Sequence, residues 1–177
     1  MSGTFRIVAI SIALCVRLIA GGQAPAGRPA AAEDISGCTP SVQIPPRAVR
    51  ALLRTKEGAG ARDYLSESSE HEVSEVFRAA QMHLSHGTVD LVVCGTGVMT
   101  TGADNDWHWL VSGAYSHPRV VLFAPASNAF ELLPGRTHGL RDVRSFWNSP
   151  NESVARLFQF DGTRYKMVKE RRTPIEP

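Results

Sequence analysis

The feature that most constrains the fold is a series of short apolar or alternating runs, separated by turn signals, from residue 89 onwards. The runs 91–94 and 120–123 are apolar throughout, which is typical of buried strands. The runs 107–111 and 142–147 alternate in polarity, as half-buried strands do. Six to seven short strands at this spacing predict a mainly antiparallel sheet, either curled or packed as a sandwich.

The clearest single element is a hairpin near the C-terminus. Two alternating runs flank the pair Asp161 and Gly162. An Asp-Gly pair in this position favours a type I′ turn, in which both central residues have positive φ. We therefore expect the pair at the hairpin tip, with Phe158, Phe160 and Tyr165 on the adjoining strands.

A helical or irregular lead-in precedes the strands at residues 33–76. Apolar residues at helical spacing predict one short helix at 47–54 and a second near 68–75. The expected fold class is therefore α+β, with one or two N-terminal helices packed on the sheet. The mature chain is expected to form one domain at 33–177, with its β-rich core at 77–170.

Residues 1–32 have the organisation of a secretory signal peptide followed by a tract of small residues. Arg6 precedes the apolar run 7–16, and small residues suitable for cleavage extend to Ala32. The apolar run is shorter than the roughly 20 residues that a membrane span needs. We expect export to the periplasm or the cell exterior, with no membrane span after removal of the signal. The alternative is a buried N-terminal helix of a cytosolic protein.

Loss of this segment changes both the charge and the cysteine content. It removes three of the 19 basic residues and no acid, leaving 16 against 17 acidic residues. That balance gives no reason to expect a nucleic-acid partner. Cys38 and Cys94 remain, and two cysteines in an exported chain can form one disulfide. The alternative is two unpaired thiols, with Cys94 buried at the end of a strand.

Four segments resemble a known pattern. They are 83–93, 103–109, 136–142 (Arg-Thr-His-Gly-Leu-Arg-Asp) and 158–165 (Phe-Gln-Phe-Asp-Gly-Thr-Arg-Tyr). In these segments the chain resembles a loosely defined group of uncharacterised exported bacterial proteins, which are distantly similar to single FG-GAP units. The resemblance implies export and a β-rich domain. It implies no activity.

The loop that binds calcium in FG-GAP units differs here. Its matching positions are His83, Ser85 and His86, where carboxylates would be needed. Neutral imidazoles are poor ligands for a hard cation, so we expect no calcium at this loop. His71, His83 and His86 are a weak zinc signal, because a His-x-x-His spacing alone is unspecific. We expect no metal and no other cofactor.

Two polar segments supply the candidate binding residues. The first combines acids and an amide with tryptophan, a combination that suits contacts with carbohydrate or peptide. The second is a turn whose arginines can hold an acidic group. The alternative is structural, with the tryptophans in the core and the arginines bonded to loop carbonyls. The candidate residues are Asp104, Asn105, Asp106, Trp107, His108, Arg136, His138 and Arg141.

These residues support two functional hypotheses. The favoured one is an exported, non-catalytic binding or interaction domain, whose partner is an envelope or extracellular protein or glycan. The alternative is a small exported hydrolase in which Asp104 or Asp106 acts as a general base together with His108 or His138. Convergence of these four side chains in a solvent-open cleft would favour the enzyme. We assign no catalytic residue from the sequence.

Overall fold

The computed structural model describes residues 31–99 and 106–175. Within them the chain forms nine β-strands and three α-helices, with a short 3₁₀ turn at Gly97–Met99. In chain order the elements are β1 (Glu33–Asp34), α1 (Pro46–Leu53), α2 (Ala59–Glu67), α3 (Val73–Val76), β2 (Phe77–Met82), β3 (Asp90–Gly95), β4 (Asp106–Ser112), β5 (Arg119–Ser127), β6 (Ala129–Thr137), β7 (Leu140–Asn148), β8 (Glu152–Phe160) and β9 (Tyr165–Pro174).

The strands form two antiparallel sheets. One has four strands in the order β2-β3-β4-β5, and the other has five in the order β1-β6-β7-β8-β9. The predicted α+β class and the mainly antiparallel sandwich are confirmed. The predicted numbers of strands and helices are too low, because the described residues contain nine strands and three helices.

Local sequence explains why β6 is long and why sequence patterns do not predict α2 and β1. β6 continues through Pro134 and Gly135, although a Pro-Gly pair is typical of a turn. A register shift between Leu132 and Arg136 takes this segment out of the regular pairing, so that proline, which has no N–H, is accommodated. α2 starts beside glycines that predict a loop, and the two residues of β1 carry no apolar pattern.

The four-stranded sheet is the middle of three layers. Alternate side chains of β3 enter different cores: Val92 and Cys94 face the five-stranded sheet, whereas Leu91 and Val93 face the helices. Every residue of β3 is therefore buried, which explains its continuous apolar run. On the helical side, Ala48 and Leu52 of α1 are fully buried against the sheet. This packing fixes which face of α1 is left to solvent.

The β8–β9 hairpin forms as predicted, but its turn is of a different kind. Phe160 pairs with Tyr165, so that a four-residue loop connects the strands. The Asp161 carboxylate accepts hydrogen bonds from the N–H groups of Thr163 and Arg164, at 2.8 and 2.9 Å. Only Gly162 of the predicted pair has a positive φ, of 100°. The type I′ prediction is therefore wrong, because the aspartate side chain closes a longer loop.

Cys38 and Cys94 form a disulfide, which decides between the two alternatives left open by the sequence. Their Cα atoms lie 6.1 Å apart and both residues are buried. The bond joins the segment before α1 to the C-terminal end of β3. It therefore fastens the lead-in, which includes β1, to an inner strand of the four-stranded sheet.

Candidate functional site

The structure describes only part of the first predicted segment. Asp104 and Asn105 lie outside the described residues. Trp107 is partly buried, and its ring centroid lies 5.5 Å from that of Phe123 and 5.9 Å from that of Trp109. It therefore packs in an aromatic cluster on the helical side of the sheet, as in the structural interpretation.

His108 is a core residue in the structure, with only 1% of its surface exposed. Its ring stacks on Phe130 at a centroid distance of 5.2 Å. Nε2 lies 3.0 Å from the carbonyl oxygen of Ser36, and Nδ1 lies 3.2 Å from that of Asp106. Both ring nitrogens thus face main-chain carbonyl oxygens, and the contact with Ser36 fastens the disulfide-bonded lead-in to β4.

The second predicted segment, the β6–β7 turn, also makes structural contacts. Arg136 donates hydrogen bonds to the carbonyls of Leu84 and Gly139, at 3.0 and 3.2 Å. Arg141 donates to two carbonyls of β6 and pairs with Glu33 at 2.7 Å. His138 is exposed at the turn with φ of 48°.

The two predicted segments lie at opposite ends of the middle sheet. His108 pairs with Cys94, at one end of β3. Leu84, which accepts the hydrogen bond from Arg136, donates its own N–H to Asp90, at the other end of β3. The structure therefore does not bring the described members of the predicted site together. Their role in binding stays a prediction.

A different cluster of charged residues meets beside α1, and we call it the arginine cleft. It is a concave surface of about 370 Å³ between α1 and the β4–β5 turn. Its lining contains four arginines, one histidine and no acidic residue. The residues that line it are Arg47, Arg50, Ala51, Arg54, Ser116, His117, Pro118 and Arg119.

The amphipathic pattern of α1 produces one wall of the arginine cleft. Burial of Ala48 and Leu52 turns the opposite side of the helix to solvent. Arg47, Arg50 and Arg54 lie three and four residues apart, so their side chains project from that same side. Apolar packing thus concentrates positive charge on one surface.

The β4–β5 turn forms the other wall of the arginine cleft. The buried carboxylate of Asp90 accepts a hydrogen bond from the N–H of Gly113 at 2.9 Å, which anchors the start of the turn. Gly113 has φ of 61°, a conformation that favours glycine. Arg47 reaches across the cleft to the carbonyl of Ser116, 3.5 Å from its Nη1. The turn places His117 and Arg119 opposite the helix.

No acidic side chain within the described parts of the chain pairs with the arginines of this cleft. Among residues 31–99 and 106–175, none of these four guanidinium groups forms an ion pair with an acid. Elsewhere Arg141, Arg156 and Arg172 each pair with a glutamate. Like charges held on one surface repel, so an external anion would stabilise the cluster. Guanidinium groups bind phosphate, sulfate and carboxylate through paired hydrogen bonds.

The sequence indicates only one wall of the arginine cleft. The spacing of Arg47, Arg50 and Arg54 on a predicted helix is visible without a structure. His117 and Arg119 are more than 60 residues away along the chain, and only the antiparallel return of β5 beside α1 brings them near. The cleft therefore depends on tertiary structure.

Two further observations concern metals and membranes. No group of three or more His, Cys, Asp or Glu side chains suited to a metal ion occurs in the part of the chain that the structure describes. Among the same residues, no helix has the length and apolar character needed to cross a bilayer.

Comparisons with known proteins find no relative. No protein-family model matches the chain, and neither the curated proteins nor the solved structures contain a match. The resemblance to FG-GAP-like exported proteins therefore stays a prediction.

Proposed function

We propose that this protein is an exported, non-catalytic binding domain whose ligand presents an anionic group to the arginine cleft. The observation that carries the proposal is a cleft of about 370 Å³ in which four arginines meet and no acid of the described residues pairs with them. That volume suits one phosphate, sulfate or carboxylate group with its attached atoms. The ligand would belong to an envelope or extracellular molecule, such as a protein or glycan that carries such a group.

Export is supported by two features. The N-terminal sequence has the charge and apolar pattern of a secretory signal. The Cys38–Cys94 disulfide is of the kind that persists in oxidising compartments outside the cytosol. Both features favour a site of action in the periplasm or outside the cell.

The hydrolase alternative has less support. A general base needs a proton acceptor within reach of substrate, but His108 is buried and both its ring nitrogens face carbonyl oxygens. His138 lies on the β6–β7 turn, at the other end of the molecule from Asp106. We therefore do not propose catalysis.

Calorimetric titration of the full chain with methyl phosphate, at low ionic strength, tests the proposal. Each charge-assisted hydrogen bond contributes about 1.5–3 kcal/mol, so replacing Arg50 and Arg54 with glutamine should weaken binding at least tenfold, on the order of 1.4 kcal/mol per tenfold. Binding should also weaken as salt is added, because the arginines are exposed.

Arg62→Gln, at an arginine that pairs with Asp63 outside the cleft, provides a control. Arg62 is an exposed arginine of α2 that does not line the cleft, and its replacement should leave the affinity unchanged. Absence of methyl phosphate binding would contradict the proposal. So would binding that Arg62→Gln and the double variant weaken equally, because charge in general, not the cleft, would then attract the anion.

A further inference from the structure

An apolar groove runs along the other side of α1 from the arginine cleft. Its volume is about 870 Å³. Six of its lining residues are apolar: Val42, Ile44, Pro46, Val49, Val73 and Phe77. We call it the α1 groove.

Three segments build the α1 groove. The chain before α1 runs beside the edge of the middle sheet, where the N–H of Val42 donates to the carbonyl of Ala79 at 2.8 Å. α1 contributes Val49, and the start of α3 contributes Val73. Phe77, which is only 2% exposed, closes the floor. Val42, Val49 and Val73 each keep part of their apolar surface accessible to solvent.

Arg50 connects the two concavities, because it lines both the arginine cleft and the α1 groove. An anion held by Arg50 in the cleft therefore has the apolar groove immediately beside it. A second cation, Arg78, lies on the groove wall, with Glu72 as the acidic residue there. The arrangement combines an unneutralised positive site with adjoining apolar surface.

We propose that the ligand is an anionic amphiphile, with its charged group in the arginine cleft and its alkyl chain in the α1 groove. This inference rests on the proposed function, since it takes the cleft as the site of the anion. The apolar walls favour an alkyl chain over a wholly polar anion, because each buried methylene leaves water. The ligand enters as a single molecule, since a concave groove encloses one chain and a flat bilayer surface cannot fill it.

A chain-length series tests the proposal. The full chain is titrated with methyl, butyl, hexyl and octyl phosphate, each below its aggregation concentration. The headgroup is constant, so any gain in affinity comes from the alkyl chain. Transfer of one methylene out of water should raise affinity by about two- to fourfold. Octyl phosphate has seven more methylenes than methyl phosphate. With a gain of about twofold for each methylene, it should bind at least 100-fold more tightly.

Variants of the α1 groove separate this proposal from the proposed function. Val49→Asn with Val73→Asn should remove most of the gain for octyl phosphate and leave methyl phosphate binding unchanged. Val168→Asn, at an exposed valine of β9, is the control and should change neither. The wild-type series does not depend on the folding of any variant.

Each outcome has one meaning. Methyl phosphate that binds with no gain along the series overturns the amphiphile and leaves the proposed function intact. Octyl phosphate binding that is unaffected by Arg50→Gln with Arg54→Gln refutes both, because the anion is then not held in the cleft. A dimer in sedimentation that Val49→Asn with Val73→Asn dissociates also overturns the proposal, since a second copy of the chain then covers the α1 groove.

Discussion

Removal of the Cys38–Cys94 disulfide should destabilise the domain by an amount that follows from its position in the chain. The two cysteines are 56 residues apart, so the bond closes a long loop in the unfolded chain. On the chain-entropy relation, such a loop contributes about 4 kcal/mol to the free energy of unfolding. For a domain of this size, about 3 °C is lost per kcal/mol, which predicts a fall in Tm of about 12 °C.

The assay is urea denaturation of three samples, followed by tryptophan fluorescence. They are the oxidised chain, the same chain held reduced, and Cys38→Ala with Cys94→Ala. The reduced chain isolates the loop-closure effect. Because both residues are buried, the double variant should lose about a further 1 kcal/mol or more from the small cavities that it creates.

A loss below about 1 kcal/mol on reduction would refute the loop-closure reasoning. It would mean that the lead-in stays ordered by its other contacts alone, including the hydrogen bonds that Ser36 makes with His108 and Phe130. The denaturant slope should also increase on reduction, because the unfolded chain without its cross-link exposes more surface.

Two further predictions concern Tyr165 and export. The Tyr165 hydroxyl donates to the carbonyl of Arg141 at 2.6 Å, and burial, together with the negative charges of Asp142 and Asp90, raises the pKa of this tyrosine. The stabilisation from the neutral hydroxyl is therefore complete below the unfolded-state pKa of about 10 and is lost as the pH rises above it. Tyr165→Phe should cost about 1 kcal/mol in urea denaturation at pH 8 and make stability less sensitive to pH above 10, whereas equal curves would contradict this. The exported protein should lack about 20–32 N-terminal residues by intact-mass measurement, and an untrimmed cytosolic chain would contradict export.

Sequence patterns predict those parts of the fold that depend on neighbouring residues. The continuous apolar run at 91–94 identifies β3 because a strand covered on both faces needs no polar alternation. The alternating runs beside Asp161 identify the last hairpin, because a strand covered on one face alternates between apolar and polar residues. The passage of β6 through Pro134 is different, since Leu132 and Arg136 on either side of the proline pair with β7 although the local sequence favours a turn.

Local sequence predicts the candidate site less well than the fold. Polar residues near Trp107 suggest a binding surface by their composition, but the tryptophan packs in the aromatic cluster and His108 lies inside the core. The arginine cleft differs, because tertiary structure and not local sequence brings its two walls together. The spacing of Arg47, Arg50 and Arg54 is visible in the sequence, but the site exists only because β5 returns Arg119 to the exposed side of α1.

Backbone and arginine side-chain NMR spectra, recorded during a titration with methyl phosphate, test the central claim most directly. The arginine cleft predicts saturable shifts for the amides of 47–54, Ser116, His117 and Arg119, and for the Nε–Hε groups of Arg47, Arg50, Arg54 and Arg119. The largest shifts should disappear in Arg50→Gln with Arg54→Gln. Shifts centred instead on the β6–β7 turn, or spread evenly over all exposed arginines, would contradict the claim that this cleft is the anion site.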